Sequence, residues 1–364
     1  METDYAIIGG GVVGLSIAWG LLRRGLSVTV IDGGDGDFRA SRGNFGLVWV
    51  QGKGLNEPRY AEWTRASAAA WAGFAEELTG LTATDLGLRQ DGGYELFFSE
   101  DDMAAMIAEY EGLRKKLGGD YPFEVLDPAT LQKEEPAIGP KVVGAILHRE
   151  DGHANPLRLL RALADATRRT GGHILTGRRV TAVDKANLFC LTCDDGTEIR
   201  SARLVLAAGL GAADLGPKLG FRTKVRPQRG QVMITEKLPK LINRPSPIAR
   251  QVDEGGIQIG ATNEEVGFDD GITRPGLARL AREAVDAWPD LARAQLVRSW
   301  GALRILTPDG LPVYQQSPDL PGAFLVTCHS GITLAAAHAL MLPDWLEGQP
   351  GAPDLKVFSE DRFS

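Results

Sequence analysis

Three glycines spaced Gly9-x-Gly11-x-x-Gly14, followed eighteen residues later by Asp32, are residues whose types and spacing suit a definite chemistry in this 364-residue chain. The first glycine lets the backbone turn sharply, the second lets it approach a pyrophosphate, and the third lets a helix pack closely on a sheet. An acid at the end of the following strand would accept hydrogen bonds from a ribose hydroxyl and repel a 2′-phosphate, which disfavours NADP. The spacing therefore predicts a dinucleotide site.

Two arginines are candidates for holding an anion. Arg304 lies in the apolar stretch "WGALRILTPDG", where an unpaired charge is costly, and Arg250 precedes the turn of a predicted hairpin in "PIARQVDEGG". A guanidinium's planar fork matches a carboxylate; the plainer reading of each is an ion pair at a sheet edge. The five histidines, at 148, 153, 173, 329 and 338, have no metal-ligand spacing. Cys190 and Cys193 in "FCLTC" fall on opposite faces of a regular strand, which argues against a zinc or redox pair. No metal is expected.

The elements that must position these residues follow from pattern. "DYAII" reads as a buried strand, "VVGLSIAWGLLRRG" as a helix closed by Gly25, and "LSVTVID" as a second strand ending in the acid. "SARLVLAAGLGAADL" repeats the scheme of strand, small-residue turn and helix. A signal peptide is not expected in the apolar run from Ala6 to Leu22, since Glu2 and Asp4 precede it and glycines interrupt it. A chain with 43% hydrophobic residues can bury a large core, and 40 basic against 47 acidic residues give no reason to bind nucleic acid. Three cysteines are too few and too odd in number for a disulfide framework, so a cytoplasmic setting is expected; no transmembrane segment is expected either. The polar tail after Leu346 is expected to be weakly ordered.

Seven segments, "GGGVVGLS", "SRGNFGLVWVQGKG", "DGHANPLRLLRAL", "VRPQRGQVMI", "GGIQIGATNE", "WGALRILTPDGLPV" and "HSGITLAAAHA", run in order along nearly the whole chain. In that order the sequence resembles the D-amino-acid, glycine and sarcosine oxidase superfamily. Within it, "GNFGLVWVQGKG" and "HSGITLAAAHA" are similar to the flavin subunits of opine, D-hydroxyproline and hydrogen-cyanide-synthase-type amine dehydrogenases. The resemblance implies an α/β fold: a Rossmann-like FAD-binding domain from residues 1–85, 144–222 and 300–364, and a discontinuous α+β substrate domain from 86–143 and 223–299, built on a mixed sheet. It implies FAD held by Gly9, Gly11, Gly14, Asp32, Gly33, Ser41, Arg42, Asn44, Gly46, Leu47, Ala208 and Gly209, with the Val180 backbone at the adenine. The backbone N–H groups of Ser330, Gly331, Ile332, Thr333 and Leu334 would point at the flavin C2 carbonyl.

For substrate, the resemblance implies Arg304, Arg250, Lys53 and Thr262, with Arg304, Arg250 and His329 nearest the reaction. A deprotonated amine assists transfer of the Cα hydride to flavin N5 and leaves an imine, so no dedicated base is required. A related oxidase links its flavin to a cysteine where this chain has Ala302, so the FAD is expected to be non-covalent. That relative also activates oxygen with a lysine on the substrate sheet, whereas this chain has no lysine between Lys240 and Lys356. A dehydrogenase is therefore expected, acting on a small amino or imino acid and passing electrons to a partner subunit with FMN or an iron–sulfur centre. The alternatives are a free-standing oxidase that makes peroxide and a non-catalytic electron-transfer subunit.

Overall fold

The computed structural model describes residues 2–34, 40–222 and 224–363, so the expected domain limits at residues 1, 223 and 364 lie outside the described residues. Strand Glu2–Ile8 runs through the middle of an eight-stranded sheet, parallel to Val28–Asp32 on one side and to Glu198–Leu206 on the other. Ala323–Thr327 and His173–Thr176 extend the parallel array, and Val313–Gln316 closes one edge antiparallel. The strands Val180–Lys185 and Phe189–Cys193 add an antiparallel extension to Glu198–Leu206. Strands covered on both faces must be apolar at successive positions, which is why Tyr5, Ala6, Ile7 and Ile8 form an unbroken buried run.

Helix Val12–Leu22 is almost wholly buried, packed against helices Pro156–Arg169 and Ala335–Leu340. A Cβ at Gly20 would stand 2.2 Å from the Ala339 carbonyl oxygen. The alanine-rich run near the C-terminus thus has its place because two helix backbones touch there, and only glycine opposite alanine permits that approach.

A second sheet pairs Ala249–Gln251, Gly256–Gly260, Arg226–Lys237 and Leu296–Leu306, antiparallel throughout. Mixed pairing belongs instead to the eight-stranded sheet. A three-stranded sheet of Gly93–Phe97, Gly144–His148 and Glu124–Leu126 shares an apolar core with it, centred on Tyr94, Leu147, Met233, Ile257 and Trp288. Pairing moves two segments across the expected domain limits. Gly144–His148 is the central strand of the three-stranded sheet, and residues 300–306 continue the strand that begins at Leu296.

The tail differs from expectation. Phe358 is buried against Tyr60 and Tyr314, and Arg362 pairs with Asp309 at 2.7 Å, so residues up to 363 are anchored on the body. One large aromatic and one ion pair outweigh the polar composition that suggested disorder. Among the described residues no helix is long and apolar enough to cross a membrane.

Candidate active site

Two adjoining cavities lie between the sheets and share Ala40 and Leu303 in their walls. The first is lined by Gly9, Gly10, Gly11, Asp32, Ser41, Arg42, Ala208, Gly209 and Cys328, among others. Gly9 has φ +115, and a Cβ there would fall 2.4 Å from the Ala207 carbonyl oxygen. At Gly14 a Cβ would fall 2.0 Å from the Gly9 carbonyl oxygen. Both glycines are thus required by contact between backbones, as the spacing predicts. The Asp32 carboxylate closes the turn by accepting from Gly10 N–H at 2.6 Å and Gly34 N–H at 2.9 Å. Ser41 Oγ accepts from Val12 N–H at 3.0 Å, at the start of the helix.

The second cavity, of about 420 Å3, is lined by Asn44, Leu47, Trp49, Lys53, Gly230, Arg304, His329, Ser330 and Thr333. Strand Leu296–Leu306 carries Arg304 into it. A Cβ at Gly230 would come within 2.9 Å of the guanidinium, so Arg304 lies across a glycine of the neighbouring strand. One Arg304 nitrogen donates to the Thr262 carbonyl at 2.8 Å, and among the described residues no carboxylate pairs with it. Burial pulls its pKa below the ordinary arginine value. A desolvated guanidinium without a counter-ion is unfavourable unless an anion completes the site.

Lys53 faces the same cavity, its Nζ 5.9 Å from the Tyr60 ring centre. Burial draws it down to about 8, opposed by the negative charge of Asp151. The His329 imidazole is pushed down to about 3 by burial and by the Lys53 and Arg304 charges. It is neutral near pH 7 and cannot serve there as a general acid.

The turn before helix Ala335–Leu340 is fixed from three sides. Tyr60 and Ser330 hydroxyls share a 2.8 Å hydrogen bond, Thr333 Oγ1 accepts from Trp49 N–H at 3.0 Å, and the Thr333 carbonyl accepts from Ser67 Oγ at 2.7 Å and Trp71 Nε1 at 3.0 Å. Among the described residues no acceptor meets the N–H groups of Gly331, Ile332 and Thr333. Leu334 leaves the expected donor set, because its N–H bonds the Ser330 carbonyl at 2.9 Å. The helix itself begins at Ala335.

Several expected residues line neither of these two cavities. Arg250 is fully buried, donating to the Phe45 carbonyl and standing 2.8 Å from His153 Nδ1; it props the Phe45–Gly46 loop instead of offering its fork to a ligand. Gly46, at φ +93, is a packing position against Ala154 and Arg250. Val180 pairs with Cys193 and is packed in an apolar core with Ile8 and Ile31, and Gly33 lies beside Arg179; neither lines either of these two cavities. Thr262 is buried and acts through Arg304, while its hydroxyl accepts from Gln231 N–H at 2.9 Å. Sequence reasoning missed Gly230, Ser67 and Trp71. The last two sit four residues apart on one face of helix Pro58–Thr82, a spacing that could have marked them.

A glycine-built nucleotide cradle, joined to a cavity with two cations that meet no carboxylate among the described residues, defines a cofactor-dependent oxidoreductase architecture. The chain belongs to the FAD dependent oxidoreductase (DAO) family, which it matches over residues 4–345. It is 41% identical over 367 residues to the B subunit of opine oxidase from Rhizobium meliloti, covering 100% of this chain and 98% of that protein. The corresponding opine oxidase polypeptide of Agrobacterium tumefaciens (strain Ach5) is 42% identical over 363 residues, with coverage of 100% and 98%. The crystal structure of glycine oxidase from Geobacillus kaustophilus has a TM-score of 0.91 at 27% identity, covering 98% of each chain. The protein is an FAD-dependent oxidoreductase. The residues present fit that cofactor: the close backbone approaches at Gly9 and Gly14 leave room only for glycine, and open N–H donors stand at Gly331, Ile332 and Thr333.

Proposed function

We propose that the protein oxidises the C–N bond of a small amino or secondary-amino acid, of the opine, D-hydroxyproline or proline type, and passes the electrons to a partner subunit. Arg304 carries this reading, as a half-buried guanidinium in the cavity wall that no carboxylate among the described residues meets. Its free edge would take the substrate carboxylate in a forked pair and fix the Cα–N bond in the cavity. Lys53, the second cation there, suits a substrate with a second carboxylate. FAD, when bound, supplies the two-electron acceptor, taking the hydride at N5. Gly9, Gly11, Asp32, Ser41, Arg42, Ala208 and Gly209, which line the first cavity, would hold the cofactor, and the open donors of Gly331 to Thr333 would stabilise negative charge developing on it.

Ala302 lines the second cavity and has no nucleophile, which supports non-covalent FAD. The eight-stranded sheet with its helices forms the FAD domain and the other two sheets the substrate domain. The similarity to proteins named as subunits supports an electron-accepting partner. A second reading, a peroxide-forming oxidase, draws on Lys53 as a lysine in the cavity wall.

The test is to mix the yellow protein anaerobically with D-hydroxyproline, L-proline, octopine, sarcosine and glycine, follow the flavin absorbance, then admit air. Bleaching with slow recovery is expected. Rapid recovery with peroxide would select the oxidase, and no bleaching with any of them would reject catalysis by this chain alone.

A further inference from the structure

Behind Lys53 lies a group of buried polar side chains that do not line the cavity. Lys53 ends a tight turn, its N–H bonded to the Val50 carbonyl at 3.1 Å. Asp151 fixes that turn from beneath, accepting from Val50 N–H and from Gln51 Nε2, the latter at 2.7 Å. Asp151 is fully buried, and among the described residues no cation pairs with it. Among the described residues Gln51 Oε1, Tyr121 Oη and His148 Nε2 are buried and meet no hydrogen-bond partner. The Tyr121 and His148 ring centres are 5.1 Å apart, and Tyr110 meets Tyr121 edge to face, centres 5.5 Å apart, while donating to Glu95 at 2.6 Å. On the outer side, Glu150 N–H meets His148 Nδ1 at 3.3 Å, and Glu150 pairs with Arg65 at 2.7 Å.

A buried polar atom without a partner costs about 1–3 kcal/mol unless water meets it. Three in one cluster, beside a buried carboxyl, mark a place for ordered water. Resting on the function proposed above, we infer that Asp151, Gln51, Tyr121 and His148 form a hydrated proton store behind Lys53, which receives the substrate's amine proton through Lys53 Nζ. The substrate arrives as an ammonium. Its N–H bond breaks with the electron pair left on nitrogen, and the proton binds the lone pair of neutral Lys53; no electron changes hands. The proton then moves through ordered water to the Asp151 carboxylate, or stays on Lys53 and leaves a cation for a second carboxylate.

The charges agree with this geometry. Burial draws Lys53 down to about 8 and pushes Asp151 up to about 8, so both give up their protons as the pH rises through about 8, and the accepting state there has Lys53 neutral and Asp151 as a carboxylate. Among the groups facing Lys53, Asp151 and Cys328 favour its charged form and Arg304 opposes it, while His329 is neutral and Tyr60 presents its ring.

The test uses the holoenzyme with 13C-labelled lysine, the Lys53 signal being assigned with Lys53→Arg. Asp151→Asn removes a negative charge, so the Lys53 proton affinity is expected to fall about tenfold, one unit of midpoint. An unmoved midpoint would overturn the proposal. Should that variant fail to fold, Tyr121→Phe deletes only an orphan hydroxyl: a changed Lys53 midpoint supports the store, and an unchanged one overturns it. The rate of anaerobic bleaching against pH gives the second readout. Asp151→Asn should shift its acid limb, whereas a purely structural role would lower the melting temperature and leave the limb in place. If no amino acid bleaches the wild type, the proposed function fails while the NMR titration still decides the proton store.

Discussion

The nucleotide cradle is made of backbone, and the second cavity is made of side chains from distant segments. In the cradle, Gly9, Gly14 and Ala207 meet through main-chain atoms, so a change of even one carbon is felt. In the second cavity, Lys53, Arg304 and His329 come from a turn, a strand and a loop that meet only when the two main sheets are assembled. On the function proposed above, the first region would hold a pyrophosphate and the second would decide what is oxidised.

The largest effect should come from breaking the cradle. Gly14→Val sets a branched side chain where even a Cβ would lie 2.0 Å from the Gly9 carbonyl oxygen. The expected product is colourless or insoluble, checked by flavin absorbance per mole of protein. A yellow, fully loaded variant would mean that the close approach is not needed.

Next comes Arg304→Met, which touches only the second region. Loss of a desolvated charge pair should weaken substrate binding about a hundred- to a thousandfold. FAD content should stay near wild type, so titration of the flavin spectrum with substrate separates the two regions. Unchanged affinity would remove Arg304 from the site.

Arg250→Met makes the contrast sharper, since Arg250 lies on the same sheet yet points its guanidinium into the protein. It leaves the Phe45 carbonyl without a buried donor, and a loss of about 2–4 kcal/mol of stability is expected. Chemical denaturation measures this. Among molecules that remain folded, affinity for substrate should change far less than in Arg304→Met.

These contrasts also explain what the sequence made legible. Gly9, Gly11, Gly14 and Asp32 could be read because their chemistry is local: a strand, a turn and a helix bring them together within some twenty-five residues. Arg304 could be placed by the cost of a charge among apolar neighbours. Arg250 could not be told from it, because the deciding fact is the position of the Phe45 carbonyl, about two hundred residues away in sequence. Gly230 and Asp151 were silent for the same reason. A glycine in a strand and an aspartate in a turn acquire meaning only from what lies across from them. The tail was misread because composition does not register one Phe358 that finds a pocket between Tyr60 and Tyr314.

The smallest effect tests whether backbone alone carries the turn at Gly331 to Thr333. Ser330→Ala removes the partner of the buried Tyr60 hydroxyl but none of the open N–H groups. A stability loss of about 1–2 kcal/mol is expected from that orphaned hydroxyl, read from the urea midpoint. The visible flavin spectrum and the anaerobic bleaching rate should stay within about threefold of wild type, because electrostatic stabilisation by fixed donors depends on their position rather than on the neighbouring side chain. A larger fall in rate with an intact spectrum would assign the effect to the Ser330 hydroxyl, and the turn would then belong with the side-chain-built cavity.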